Sequence, residues 1–111
     1  MTTGNATVPE WEKFRTDESR AVELLLRKSF ERADAYRYNS ASLRVRVIDP
    51  SFKGLSREDR DDRVEPALSN LGQDTQADIM NLVLLYPGEE NESSRAWILN
   101  QEFEHPADSM L

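Results

Sequence analysis

The fold is read from LRVRVID (43–49), PSFKG (50–54) and LSREDRDDRV (55–64), followed by EPAL (65–68). Leu43, Val45 and Val47 alternate with Arg44, Arg46 and Ile48, the period-two pattern of a half-buried strand with a basic outer face. Asp49-Pro50 ends it, because proline has no N–H to give to a sheet ladder. Ser56-Arg-Glu-Asp59 fits a capping box with Asp at its last position, so a helix starts there. Arg60, Val64, Ala67, Leu68 and Leu71 follow at helical spacing. Pro66 predicts a kink or break near Glu65, since a proline inside a helix removes one bond and clashes with the preceding turn. Gly72 is read as the helix stop.

Upstream, Thr16 or Asp17 caps a first helix whose apolar stripe is Val22, Leu25, Leu26, Phe30 and Ala33. Residues 35–39 read as a short strand with Tyr36 and Tyr38 on one face, and 39–42 as a turn, giving an antiparallel hairpin with 43–48. Ahead of these, Trp11 and Phe14 read as an anchor laid on the core, and residues 1–8 as disordered. Downstream, 79–86 is a near-continuous apolar run, the mark of a strand covered on both faces or nearly so. Residues 89–94 read as acidic linker. A short helix over 95–99 is expected to dock Trp97 and Ile98, with 100–111 extended or disordered.

The expected fold is α+β, in the order helix, strand, strand, helix (broken), strand. It makes a mixed three-stranded sheet with helices on one face. One domain over 16–89 is expected, with a flexible segment at 1–15 and a C-terminal segment at 90–111 that is partly docked or disordered.

Composition narrows the functional classes. The chain has 111 residues, 38% hydrophobic and 32% charged, which suits a modest core. It has no cysteine, so disulfides, thiolate metal sites and cysteine nucleophiles are excluded. No apolar run reaches the length of a membrane span, and no basic-then-apolar leader is visible, so a soluble cytoplasmic protein is expected. The net charge of −7 lacks the basic field that attracts nucleic acid or anionic lipid. Arg44 and Arg46, with Arg37 and Lys53 near them in sequence, form the one local basic patch, and Tyr36 or Tyr38 could stack bases. Neither a phosphate-binding glycine loop nor the Gly-x-x-Gly loop of KH domains is present. The single histidine, His105, lies in the C-terminal segment, an unsuitable place for a triad. Asp59, Asp61, Asp62 and Asp78 could in principle meet a hard cation. Their interleaving with arginines reads instead as a solvated helix face.

The stretch resembles the BolA-like family, whose fold is related to the KH nucleic-acid-binding fold. In that family an apolar strand leads to Phe-x-Gly and then to a capped helix opening with Arg-His-Arg and an aliphatic residue. Here residues 43–48 match the strand, Phe52 and Gly54 the turn, Arg60 the first arginine and Val64 the aliphatic position. With one residue inserted, Leu68, Leu71 and the strand ending at Pro87 also align, so the resemblance covers roughly residues 43–89. The family's central histidine falls on Asp61, its second arginine on Asp62, and its later histidine near Asp78. Those histidines go with iron–sulfur ligation shared with monothiol glutaredoxins, and aspartate is a poor substitute for imidazole on iron. The fold is therefore carried over and the cluster is not; no cofactor is expected.

The expected role is a non-enzymatic interaction or regulatory module that binds another protein through its sheet or the groove beside Phe52-Lys53-Gly54. The tentative binding residues are Arg44, Arg46, Phe52, Lys53, Gly54 and Arg60. This reading requires an exposed arginine face free of intramolecular carboxylates. The alternative is a KH-like nucleic-acid-binding domain. A monomer or weak homodimer is expected, the open sheet edge leaving pairing possible.

Overall fold

The computed structural model describes residues 8–109. The disorder read for residues 1–7, and any anchoring by Met110 and Leu111, lies outside the described residues.

Three strands form one sheet in the order β1-β2-β3: β1 (Arg32–Asn39), β2 (Ser42–Ile48) and β3 (Ile79–Leu85). β1 and β2 are an antiparallel hairpin, with Ala33 opposite Val47, Asp34 opposite Arg46 and Tyr36 opposite Arg44. Asn39 shapes the turn by accepting the Ala41 N–H on its side chain at 2.9 Å. β3 runs parallel to the central β2 and places Val83 beside Arg46 and Leu85 beside Ile48. The mixed three-stranded α+β architecture is the one the sequence predicts. β1 starts three residues earlier than expected, at Arg32.

α1 (Asp17–Leu26) is capped by Thr16, which accepts the Ser19 N–H while the Ser19 hydroxyl accepts the Thr16 N–H. That reciprocal pair satisfies two first-turn donors. α1 ends before Phe30 and Ala33, although both continue its apolar spacing. After Leu26 the bonding tightens to three-residue steps, with Lys28 N–H on Leu25 and Ser29 N–H on Leu26. Asp49 then accepts the Glu31 N–H at 2.8 Å and draws the chain into β1.

α2 (Arg57–Leu68) is capped by Ser56, whose hydroxyl accepts the Asp59 N–H. No break occurs at Pro66. It lies in the last turn of α2 and is exposed, so the one lost bond frees the Asp62 carbonyl at a solvent-facing position. Gly72 does not stop α2. It precedes the short α3 (Gln73–Asp78) with φ −59°, an ordinary backbone angle.

The sheet carries helices on both faces, more than the one-sided cover expected. On the first face, Val22 and Leu26 of α1, Val64 of α2 and Phe52 of the 3-10 turn Pro50–Phe52 pack against Ala33, Ala35, Val45, Val47 and Leu84. The second face is covered by α4 (Ser94–Glu104) and by a 3-10 turn, Glu10–Phe14. There Trp11, Ala96 and Phe103 pack against Tyr36, Val83 and Leu85. Trp11 is 2% exposed, so the anchor read into this N-terminal segment is real and belongs to the core, while Phe14 is exposed. No helix among the described residues is long and apolar enough to cross a membrane.

Candidate functional site

The arginine face expected to be open is covered. α4 lies over it because Ala96, Leu99 and Phe103 recur at helical spacing and need an apolar floor. Arg46 is 1% exposed and is fully engaged. Its Nη2 and Nε donate to Asp34 at 2.7 and 3.2 Å, and its Nη1 donates to Asn100 at 2.8 Å and Glu104 at 2.7 Å. Its guanidinium lies 4.5 Å from the Phe103 ring centre. Asp34 also meets Arg32 at 3.0 Å and has Arg15 and Arg27 within 3.8 Å. The requirement of an arginine face free of carboxylates therefore fails at Arg46, because the chain uses it to pin α4 to the sheet.

Arg44 is half-buried. It stacks 3.7 Å above the Tyr38 ring and donates to the Tyr36 hydroxyl at 3.3 Å and the Glu102 carbonyl at 3.2 Å. The Tyr36 hydroxyl in turn donates to the Phe103 carbonyl at 2.7 Å. Burial pushes the Tyr36 phenol up from its ordinary value, against the opposing pull of the Arg44 hydrogen bond and charge.

The other candidates divide in the same way. Phe52 is buried against Phe30, with ring centres 5.8 Å apart. Arg60 is buried and structural. It makes a two-pronged bond to Glu89 at 2.7 and 3.1 Å, and also donates to the carbonyls of Leu84 and Leu55. Lys53 and Gly54 are exposed. Lys53 sits 5.6 Å from the Tyr86 ring centre, and Gly54 takes φ +83°. The six residues thus do not converge on one surface.

Both sheet edges are guarded by charged side chains. On β1, Glu23 accepts the Ala35 N–H at 2.8 Å and Arg27 donates to the Ala33 carbonyl at 3.0 Å. On β3, Arg57 caps the Leu82 carbonyl at 2.7 Å and Arg60 the Leu84 carbonyl at 2.9 Å. These contacts occupy backbone groups that would otherwise template another strand.

One surface that remains open is one that sequence reading turned inward. Trp97 is 52% exposed and Ile98 49%. With Glu90, Asn91, Glu92, Ser93 and Ser94 they line a concave surface of about 520 Å³. Gly88, at φ +84°, turns the chain out of β3 into the 3-10 turn Glu89–Asn91 that forms its wall. Ser93 caps α4 by accepting the Ala96 N–H at 3.3 Å, which fixes where the helix begins. Glu92 accepts the Tyr86 hydroxyl at 2.6 Å. That bond, with the Glu92 and Glu89 charges, raises the Tyr86 pKa. Glu90 carries a buried carboxylate oxygen, Oε2, with no hydrogen-bond partner among the described residues. The available signal was the inward spacing of 96, 99 and 103, which leaves 97 and 98 on the outer side.

A second concavity, about 300 Å³, joins Tyr38, Asn39, Ser42, Arg44, Met80 and Asn81 where α4 leaves the sheet open. Among the described residues no cluster of three or more His, Asp or Glu side chains is placed to hold a metal ion. Asp61 pairs with Arg57 at 3.0 Å and Asp78 with Arg37 at 2.9 Å. Compared with known proteins, the chain matches no family model, no curated protein and no solved structure.

Proposed function

We propose that this chain is a small cytoplasmic, non-enzymatic α+β interaction module of BolA-like type that binds another protein, and that the outer face of α4 is its contact surface. The observation that carries this reading is the exposure of Trp97 and Ile98 side by side over a concave wall. Tryptophan is enriched among residues that dominate binding energy, and a half-exposed pair costs solvation that a partner would recover. The contact surface thus differs from the sheet and from the groove at Phe52-Lys53-Gly54, whose residues serve the core or stand apart. The BolA-like assignment rests on the helix-strand-strand-helix-strand order and the Phe52–Gly54 turn. The family's iron–sulfur role is not carried over, because Asp61 and Asp78 stand at its histidine positions and are paired with arginines. The capped edges favour a monomer.

The test is site-specific photo-cross-linking in cells with a benzophenone residue at Trp97 or, as control, at the exposed Lys28. A discrete adduct at 97 alone is expected. The purified adduct partner should then bind the Trp97→Ala chain about tenfold more weakly. Equal labelling at both positions, or unchanged binding by Trp97→Ala, would overturn the reading.

A second reading, single-stranded nucleic acid at the Tyr38–Arg44 concavity, draws on the stacked arginine and tyrosine there. It ranks below the first because Arg46 and Arg37 are already neutralised within the chain. Oligonucleotide binding that fades steeply with salt and is lost in Arg44→Ala would revive it; no binding at low salt would end it.

A further inference from the structure

We infer that the segment seated on the outer face of α4 is cationic: a partner peptide that places an arginine or lysine between Glu90, Glu92 and the Trp97 ring, with an aliphatic neighbour on Ile98. This rests on the docking surface proposed above and adds the chemistry of its occupant.

Three observations carry it. Among the described residues, the concave lining contains two carboxylates, Glu90 and Glu92, and no cation. Neighbouring positive groups are committed elsewhere: Arg32, which shares another cleft with Glu90, to Asp34, Arg60 to Glu89, and Arg57 to Asp61 and Leu82. Arg95, on the first turn of α4, lines the separate cleft that Arg57 and Arg60 also line. Next, Glu90 Oε2 is a buried acceptor without a donor among the described residues. Such an atom is costly, and a charged N–H group reaching it after a small side-chain rotation would remove that cost. Finally, the exposed indole of Trp97 is the best aromatic partner for a guanidinium or ammonium. Carboxylate and ring face then act on the same cation, while Ile98 gives the apolar contact that neither supplies. The chain's net charge of −7 adds a long-range attraction for such a segment.

The experiment is an amide NMR titration of the full labelled chain with three short peptides at low and moderate salt. One alternates arginine with leucine, one carries glutamine in place of arginine, and one glutamate. The arginine peptide is expected to shift the amides of Glu90, Glu92 and Ile98 and the indole N–H of Trp97. Glu90→Gln with Glu92→Gln should weaken it about fivefold and Trp97→Ala about tenfold, while Lys28→Ala leaves it unchanged. If the glutamine or glutamate peptide binds the same amides as well as the arginine peptide, the cationic inference falls and the docking surface stands. Shifts spread evenly over distant carboxylates such as Glu12 and Glu58 would also overturn it, as non-specific charge attraction. So would the absence of shifts at Glu90, Glu92, Trp97 and Ile98 with every peptide. A shift that grows with protein concentration alone would assign the surface to a second copy of this chain. The cross-linking at Trp97 decides the docking reading independently.

Discussion

Replacing Arg46 with methionine tests whether the sheet and α4 are held by one buried ion network. Among the described residues Arg46 makes four hydrogen bonds, two to Asp34 and one each to Asn100 and Glu104. Breaking a buried pair costs about 3–5 kcal/mol, mostly from the charge left behind. Here the low end applies. Asp34 keeps Arg32 at 3.0 Å, and the Glu104 side chain is 30% exposed and can rehydrate. Methionine also keeps part of the apolar contact over Phe103. The expected loss is about 3 kcal/mol, or roughly 12 °C in melting temperature for a domain of this size. Urea unfolding followed by circular dichroism measures it. Asp34→Asn alone should cost about 2 kcal/mol, and the double variant should cost less than the sum by about 1.5 kcal/mol, because the two side chains share one interaction. The outer face of α4 depends on the same pin, so Arg46→Met should also raise hydrogen exchange along α4 more than along α1. A loss below about 1 kcal/mol, with the two substitutions additive, would refute the reasoning. Arg46 would then be a passenger under α4 rather than its anchor.

Two further outcomes follow from local geometry. Gly54→Ala should destabilise by about 1 kcal/mol through its left-handed backbone alone, since a Cβ there meets no atom of the described residues within 4 Å. Gly54→Asn should cost less, because asparagine tolerates that region, and equal losses for both would point to sterics instead. At Asp49, burial would raise the carboxyl pKa. The Ser51 hydroxyl, the Glu31 and Ser51 N–H groups and the charge of Arg63 outweigh it and leave the pKa lowered. A lowered folded pKa means stability that is fully present above the unfolded value of about 3.9 and lost as pH falls through the folded one. The stability gap between the native chain and Asp49→Asn should therefore be constant above about pH 5 and close below about pH 4. A gap that stays constant through the acid range would mean that Asp49 acts only as a neutral acceptor.

The legible parts of the fold were those where one short period decides the matter. β2 alternates, β3 is nearly continuously apolar, and Thr16 and Ser56 cap their helices from the expected positions. The misplaced features were set by contacts between segments far apart in sequence. Arg46 reads as solvent-facing because alternation gives a strand two faces but does not say what covers the second. Starting β1 at residue 35 rather than 32 also hid Asp34, which shares a face with Tyr36 and stands opposite Arg46. Reading 95–99 as the whole of the last helix hid Phe103. Without Phe103, the apolar residues of 95–99 are Ala96, Trp97, Ile98 and Leu99, and Trp97 with Ile98 reads as the inner side. With it, the inner side is Ala96, Leu99 and Phe103, and Trp97 and Ile98 turn outward. The candidate site was thus legible only after the helix had its full length.

The proposal that places function on α4 draws on how much of the sheet the rest of the molecule occupies. A three-stranded sheet usually offers two edges and a face for recognition. Here Glu23 and Arg27 occupy backbone groups on one edge, and Arg57 and Arg60 do so on the other. One face is filled by α1 and α2, and the other by Trp11 and α4. The arginines that would have made a basic recognition surface on a bare sheet are the ones that bind α4 over it. A small domain that adds a helix in this way exchanges an adaptable sheet surface for a rigid helical one. Its acidic wall at Glu90 and Glu92 then has a sign opposite to that of the buried strand beneath. If α4 is the functional surface, charge reversal at Glu90 should alter recognition without altering the fold. Charge removal at Arg46 should alter the fold first and recognition only as a consequence. That ordering of effects separates an interaction surface carried on α4 from one hidden below it.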